Sequence, residues 1–456
     1  MIKRTFLLFF ILFVVGVLGF TLASTTRWVA AVDFPTSSPS AALSLLPTGT
    51  SSTSPAQLDP TESPTVFFPP ADTPIPTIPS TPLPAVVPLI VNQSSPALIG
   101  PSSFPSVVNP LTGLPVEQFE LLDRRPMAIK VTNYPRSVRP QAGLSRADIV
   151  YEYLLERGIT RFVGIFYGQE AEKVGPVRSG RFFDEHLFTM YDAIFVFGNA
   201  DPRVIDHFMT LGKYVINSLV IEIDRDKAPD CTDRAAYHLC RDRDIESYNS
   251  LFADTAELTE YINRRNGNHR PDLDGMVFSY QPPLNGEIAF NIFTRYSLFI
   301  YNKWEYSVDL GQYLRFQETL GYADAREETY AVHEDDLTGQ QLSADNVVVL
   351  YVPHEYFIKT ATTEIYQIHL LGRGVGYVFR DGYAYPVIWE RPADGGIVQL
   401  FTPDGEYFPL KPGSTWYQII SEESTFSQEN GIDWRFTFDP PEVPDEPINP
   451  EGAIFP

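Results

Sequence analysis

Between about Pro35 and Pro105 the chain is rich in Pro, Ser and Thr, with three acids (Asp59, Glu62 and Asp72) and no Lys or Arg. A segment of this kind buries too little apolar surface to offset its conformational entropy. Its prolines favour extended polyproline geometry. Residues 32–106 therefore read as a disordered, semi-rigid stalk. The acidic, proline-rich end from Asp439 to Pro456 reads as a disordered tail. Folded structure is confined to about 330 residues between them, which is too many for one ordinary core and suits two domains.

Ahead of the stalk, Lys3 and Arg4 precede an apolar run from Phe6 to Ala23. About eighteen apolar residues are just enough to cross a bilayer once and are long for the core of a signal peptide. The positive flank stays in the cytoplasm, so the rest of the chain is expected outside it. Residues 1–31 read as a single-span membrane anchor. Cleavage near Val29-Ala30-Ala31, which would release the chain, is the alternative. The net charge of −23 argues against sequence-independent nucleic-acid binding, which needs phosphates neutralised by Lys and Arg.

Cys231 and Cys240 stand close together in CTDRAAYHLC. Outside the cytoplasm such a pair is most simply a disulfide. It closes a ten-residue loop and is expected to stabilise the fold by about 2–3 kcal/mol. A metal site drawing on His238 lacks a Cys-x-x-Cys knuckle, so neither metal nor cofactor is expected.

Residues 107–283 read as a mixed α/β domain. Pro126 to Thr132 is a first strand. Ile149, Tyr151, Tyr153 and Leu155 then alternate with Val150, Glu152, Leu154 and Glu156, which describes a second strand with two distinct faces. Arg157-Gly158 turns the chain, and Thr160 to Tyr167 returns as a third strand. That register is expected to set Arg161 across from Glu156 or Glu152. GPVRSGR leads into a helix over RFFDEHLFTMYD, with Ser179 as its N-cap. Ala193–Gly198 is a buried strand. Asp201–Leu211 is a helix capped by Asp201 with Pro202 in its first position. Lys213–Ile223 reads as a strand and Asp244–Arg264 as a helix.

Residues 284–438 read as a mainly antiparallel β domain, giving an α+β chain overall. Ile288 to Gln317 alternates as strands, and Asn346 to Val352 is a continuous apolar run. Gln367–Phe379 and Tyr383–Trp389 bracket a hairpin turn at Arg380-Asp381-Gly382. The high aromatic content, 13 %, suits sheets.

Arg139, Arg161, Arg178 and Arg181 lie beside turns or on strands of an acidic chain. With Ser179 as N-cap, the backbone N–H groups of Gly180 and Arg181 would point where the guanidiniums point, a good place for an anion. Asp184 and Glu185 follow Arg181 at helical spacing and offer it an internal ion pair instead. Glu152 and Glu156 are expected to orient the arginines, and Asn133, Gln141 and Thr160 to add neutral hydrogen bonds. His333, Asp335 and Asp336, beside Thr338-Gly339, form a secondary candidate that is equally well read as turn and surface chemistry.

NPLTGLP (109–115), RPMAIKVTNYP (125–135), RPQAGLSRADIVYEYLLERGITRF (139–162) and GPVRSGR (175–181) resemble the YerB-like lipoprotein family. This is a two-part bacterial domain of unknown function, family 3048. YLRF (313–316), DDLTGQQLSADNVVVL (335–350), GRGVGYVFRDG (372–382) and LKPGSTWYQII (410–420) agree in kind, so the resemblance spans about residues 109–420. It implies an exported, surface-attached protein with no established activity. The family's lipid-anchored members carry a cysteine just after the signal. Here the first cysteine is Cys231, leaving the apolar segment to hold the membrane.

The leading expectation is a tethered envelope protein that binds an anionic cell-wall or envelope ligand through the arginines. One alternative is a hydrolase or transferase using Glu152 and Glu156 as acid and base. Four residues apart on one strand, these would lie roughly 13 Å apart, wider than glycosidase pairs, so one of them would need another partner. The other alternative is a structural or assembly partner of envelope proteins.

Overall fold

A computed structural model describes residues 97–211, 220–221, 229–232, 237–245, 249–322, 326–392 and 395–443. The apolar segment 6–23, the stalk up to residue 96, the tail from 444 and most of 213–223 lie outside the described residues.

In the N-terminal half, β1 (Met127–Thr132), β2 (Ile149–Leu154) and β3 (Thr160–Phe166) are antiparallel neighbours in the order β2–β3–β1. Helix α1 (Asp184–Met190) follows, then β4 (Ile194–Val196), which pairs parallel with β1. Helix α2 (Pro202–Thr210) precedes β5 (Val220–Ile221), parallel to β4. A small hairpin of β6 (Leu239–Arg241) and β7 (Leu251–Ala253) leads into α3 (Thr255–Asn263). Asp201 caps α2, accepting from the Arg203 N–H at 3.0 Å, with Pro202 in the first turn. The helix expected over 244–264 is shorter. Leu251–Ala253 of that span form β7, and Asp254 caps the helix, accepting from Glu257 N–H at 3.1 Å. Leu251, Phe252 and Ala253 are all buried, an environment that suits an extended segment.

The C-terminal half opens with β8 (Glu287–Ile288), β9 (Asn291–Arg295), β10 (Tyr301–Ser307) and β11 (Gln312–Glu318). Next come β12 (Tyr330–Val332), β13 (Ser343–Ala344), β14 (Asn346–Val352), β15 (His354–Lys359) and β16 (Glu364–Ile368). The last are β17 (Gly372–Arg380), β18 (Tyr383–Arg391), β19 (Gln399–Phe401), β20 (Thr415–Ser421), β21 (Thr425–Glu429) and β22 (Asp433–Thr437). The turn between β17 and β18 puts Asp381 and Gly382 at positive φ, +55° and +80°, as a tight hairpin requires.

Among the described residues the larger sheet runs β19-β18-β17-β14-β20-β2-β3-β1-β4-β5, with β8 added beside β18. It takes strands from both halves of the sequence, because β2 lies parallel to β20 from Ile149↔Thr415 to Tyr153↔Ile419. The second sheet runs β12-β11-β10-β9-β22-β21, with β13 beside β11. The alternation of β2 divides the protein into two cores. Ile149, Tyr151 and Tyr153 join Leu187 and Phe188 of α1 and Val204 and Phe208 of α2 on one face. Val150 and Leu154 join Trp304, Tyr313 and Trp434 of the second sheet on the other. The protein is mostly β-sheet. Among the described residues the α-helices are three and short, α1 and α2 packing into the Tyr151 core and α3 into the other through Leu258 and Ile262. The N-terminal half therefore carries less α/β character than the sequence suggests, and the C-terminal half is β-rich. β14 with β20 and β9 with β22 are parallel pairs within an otherwise largely antiparallel arrangement.

Candidate functional site

The sheet separates the expected site residues into two groups. On the Glu152 face, between the two sheets, the Glu152 side chain is fully buried. One carboxylate oxygen accepts from Thr160 Oγ1 at 2.9 Å and from Asn133 Nδ2 at 3.4 Å. The other accepts from the Arg315 guanidinium at 2.8 Å and from Asn302 Nδ2 at 3.2 Å. Arg315 also donates to His333 Nδ1 at 3.0 Å, and His333 Nε2 meets Gln141 Oε1 at 2.7 Å. Burial, then the charges of Arg315 and Arg139, hold the His333 imidazole well below its ordinary pKa. Arg139 bonds Asn133 Oδ1 at 3.2 Å and pairs with Glu318 at 2.7 Å. Asn133, Arg139, Gln141, Glu152, Thr160 and His333 thus share one closed hydrogen-bond network.

Arg315, Asn302, Gln317 and Glu318 complete this network and were missed in the sequence. The available signal was Arg315 itself. Tyr313, Arg315 and Gln317 occupy the inward positions of β11, where a charge needs a buried partner. With four hydrogen bonds and no exposed surface, Glu152 is a structural acceptor.

Asp335 joins this region by a different route. Its carboxylate accepts from the backbone N–H groups of Gly143 at 2.9 Å and Ser145 at 2.7 Å, tying two distant turns together. Asp336 is exposed and pairs with Lys173 at 3.1 Å. Among the described residues no group of three His, Cys, Asp or Glu could hold a metal ion. Cys231 and Cys240 are disulfide-bonded.

The second group lies on the opposite face, with Tyr153. Here β3 sets Arg161 opposite Tyr153, one position away from the expected Glu152. Glu156 has left the strand for a single 3-10 turn, Glu156–Gly158, and makes a two-pronged ion pair with Arg181, Nε to Oε2 at 2.9 Å. Burial works against the Glu156 charge, but the Arg181 hydrogen bond and charge hold its pKa below the ordinary range. Ser179 does not cap the helix. The chain makes one turn first, and Asp184 accepts from Arg181 N–H at 2.7 Å at the start of the seven-residue α1. Asp184 also pairs with the buried Lys130 at 2.8 Å. Burial, partly offset by Asp184, pushes the Lys130 pKa down to about 7.

Arg161 is the exception in this group. It is 6 % exposed, donates to Ser179 O at 2.9 Å, and its buried Nε has no hydrogen-bond partner. Among the described residues no carboxylate lies within ion-pair distance of it, because Glu156 is held by Arg181 and Asp184 by Lys130. Burial first, then the neighbouring Arg181, pushes its pKa down to about 9, partly offset by the charge of Glu156. Arg161 reaches, through Ser179 O, the wall of a cleft of about 700 Å³ lined by Glu156, Ser179, Arg181, Asn199, Asp201 and the Lys359–Ile365 hairpin tip. Its three acids are paired, Glu156 with Arg181, Asp201 with Arg203 and Glu364 with Lys359. The four arginines do not share one site: Arg139, in the loop after β1, is held by Asn133 and Glu318 on the Glu152 face, whereas Arg161 and Arg181 lie on the Tyr153 face. The same separation keeps Glu152 and Glu156 from acting as a carboxylate pair.

Residues 111–268 match the family described as "Protein of unknown function (DUF3048) N-terminal domain", and residues 292–417 match its C-terminal domain. The chain is 28 % identical over 323 residues to the "Putative lipoprotein YerB" of Bacillus subtilis (strain 168), covering 71 % of this chain and 88 % of that protein. The crystal structure of YerB from Bacillus subtilis superposes with a TM-score of 0.53 at 25 % identity, over 69 % of this chain and 96 % of that one. Matched in both of its halves, the chain belongs to the two-part DUF3048 family, whose activity is not established.

Proposed function

We propose that this is an extracytoplasmic, membrane-tethered envelope protein that holds an anionic group of an envelope ligand in the cleft beside Arg161 and Arg181. The observation that carries the reading is the buried Arg161 guanidinium, whose Nε has no hydrogen-bond partner and which makes no ion pair among the described residues, the nearby Glu156 being held by Arg181. A buried cation left in this state costs stability, and a bound anion relieves that cost. Ser179 and Asn199 on the cleft wall add neutral donors. The similarity to a lipoprotein supports the location. Among the described residues no helix is long and apolar enough to cross a membrane, so attachment through residues 6–23 remains part of the proposal.

The test is equilibrium binding of the detergent-solubilised full chain to inorganic phosphate, a glycerol-phosphate polymer and a carboxylate-bearing muropeptide. Arg181→Gln should weaken the preferred probe about tenfold or more, and added salt should weaken it further. Unchanged binding in Arg181→Gln contradicts the reading. Binding of none of the three, together with cross-linking to an envelope protein, favours the assembly role.

A further inference from the structure

A second cleft, of about 620 Å³, lies where segments distant in sequence meet: the turn around Asn109–Gln118, the stretch Ser145–Asp148, Gly168–Glu170, Gln312, the turn at Gln340–Asp345 and the pair Gly413-Ser414. Its size is ordinary for a small-ligand site. Three of its acids are already hydrogen-bonded or paired from within, while Glu117 and Arg146, both exposed, make no ion pair among the described residues, Arg146 donating to Gln169 Oε1 at 3.3 Å. The Asp148 carboxylate accepts from Tyr167 N–H at 2.6 Å, Gly168 N–H at 2.9 Å and Asn109 Nδ2 at 2.9 Å. Glu170 pairs with Arg124 at 2.6 Å. Asp345 accepts from Gln312 Nε2 at 3.2 Å and Ser414 N–H at 3.0 Å, with Lys411 at 3.7 Å.

Most of the groups left over are neutral and can either donate or accept. The Gln340 amide and the Ser343 and Ser414 hydroxyls make no side-chain hydrogen bond within the described residues. Gln312 and Gln341 use their amide N–H groups on Asp345 and the Arg315 carbonyl, leaving each amide oxygen free. Leu114 and Val116 add a half-buried apolar patch to the same wall.

We propose that this cleft binds an uncharged, hydroxyl-rich ligand, a short segment of a glycan. A sugar ring presents hydroxyls at its rim, each both donor and acceptor, and C–H groups on its face. Carboxamides and hydroxyls match the first and Leu114 with Val116 the second. A cation finds one unpaired carboxylate here, the exposed Glu117, with Arg146 in the same lining. An anion would be desolvated beside four acids with the exposed Arg146 as the one cation in the lining, a cost that a neutral ligand avoids. An exported protein meets glycans in the envelope, and this site would act alongside the anion cleft and independently of it.

The experiment titrates the full chain, held in a detergent without sugar headgroups, with N-acetylglucosamine tetramer and with maltotetraose, read by calorimetry and ligand-observed NMR. Saturable binding of at least one oligosaccharide is expected. Gln340→Ala with Ser414→Ala, which removes no internal side-chain hydrogen bond, should weaken it about tenfold. Ser343→Arg should abolish it by filling the cleft, while Arg161→Met should leave it intact. No binding of either oligosaccharide overturns the proposal, as does binding indifferent to Ser343→Arg. Saturable binding of tetraglycine in place of both sugars overturns it in favour of a peptide ligand.

Discussion

Arg315 and Glu152 form a fully buried ion pair, 2.8 Å between guanidinium nitrogen and carboxylate oxygen, that joins the second sheet to the first. The guanidinium also lies against the rings of Trp416, Trp304 and Phe162, with its central carbon 4.5, 5.1 and 5.4 Å from their centroids. Removing one member of a buried pair leaves the other charged in an apolar place. Glu152→Gln and Arg315→Met should each cost about 3–5 kcal/mol. The double variant should recover part of that loss. Denaturant midpoints of the four proteins check this, and strictly additive losses would show that the pair is not coupled.

His186 supplies a pH dependence of known sign. Its ring nitrogens meet Arg391 and the Ile368 carbonyl, both at 3.0 Å, and burial pushes its pKa down to about 4. The unfolded chain takes up this proton near pH 6.5. Stability from this group is therefore complete above about pH 6.5 and lost as the pH falls toward 4. Asp148 acts in the opposite sense, because burial raises its pKa to about 6 and its contribution fades as pH rises through that value. Comparing His186→Gln with the parent cancels Asp148. The variant should lose less stability between pH 6.5 and 4, by on the order of 3 kcal/mol.

Gly413 has a φ of +143°, and a Cβ placed there would sit 2.0 Å from Asp345 Oδ2. The Asp345 carboxylate is also what receives the Ser414 N–H. Gly413→Ala should lower the melting temperature by several degrees and weaken oligosaccharide binding in the cleft it borders. A neutral effect on both would mean that the loop re-forms without strain.

The loop closed by Cys231 and Cys240 is short, with a sequence separation of 9. Replacing both by serine should cost about 2–3 kcal/mol. Thermal unfolding of the double variant, compared with the parent, measures it.

The two faces of β2 could be read from the sequence, since the alternation from Ile149 to Leu154 needs only local pattern, and so could the hairpin at Asp381-Gly382. The pairing of β2 with β20 could not, because a strand's apolar face does not name its neighbour across more than 250 residues. The same gap hid the site's division. Reading Arg161 as opposite Glu152 required a register one residue different, and a one-residue slip moves a side chain to the other face. Glu156 looked like a strand position because its spacing fits, but positive φ at Arg157 and Gly158, +62° and +71°, takes the chain into a turn. Arg315 was visible as an inward position in YLRF, but its partner Glu152 lies 163 residues away.

The central claim is that Arg161 is kept buried and unmatched for an anion. Its most direct test is the melting temperature of the full chain and of Arg161→Met, each with and without the preferred anionic probe at about one hundred times its dissociation constant. The parent should gain about 2.7 kcal/mol from the probe. Arg161→Met should start about 1–3 kcal/mol more stable in probe-free buffer, relieved of an uncompensated charge, and gain nothing on addition. A variant that is less stable than the parent and still responds fully to the probe would contradict the claim.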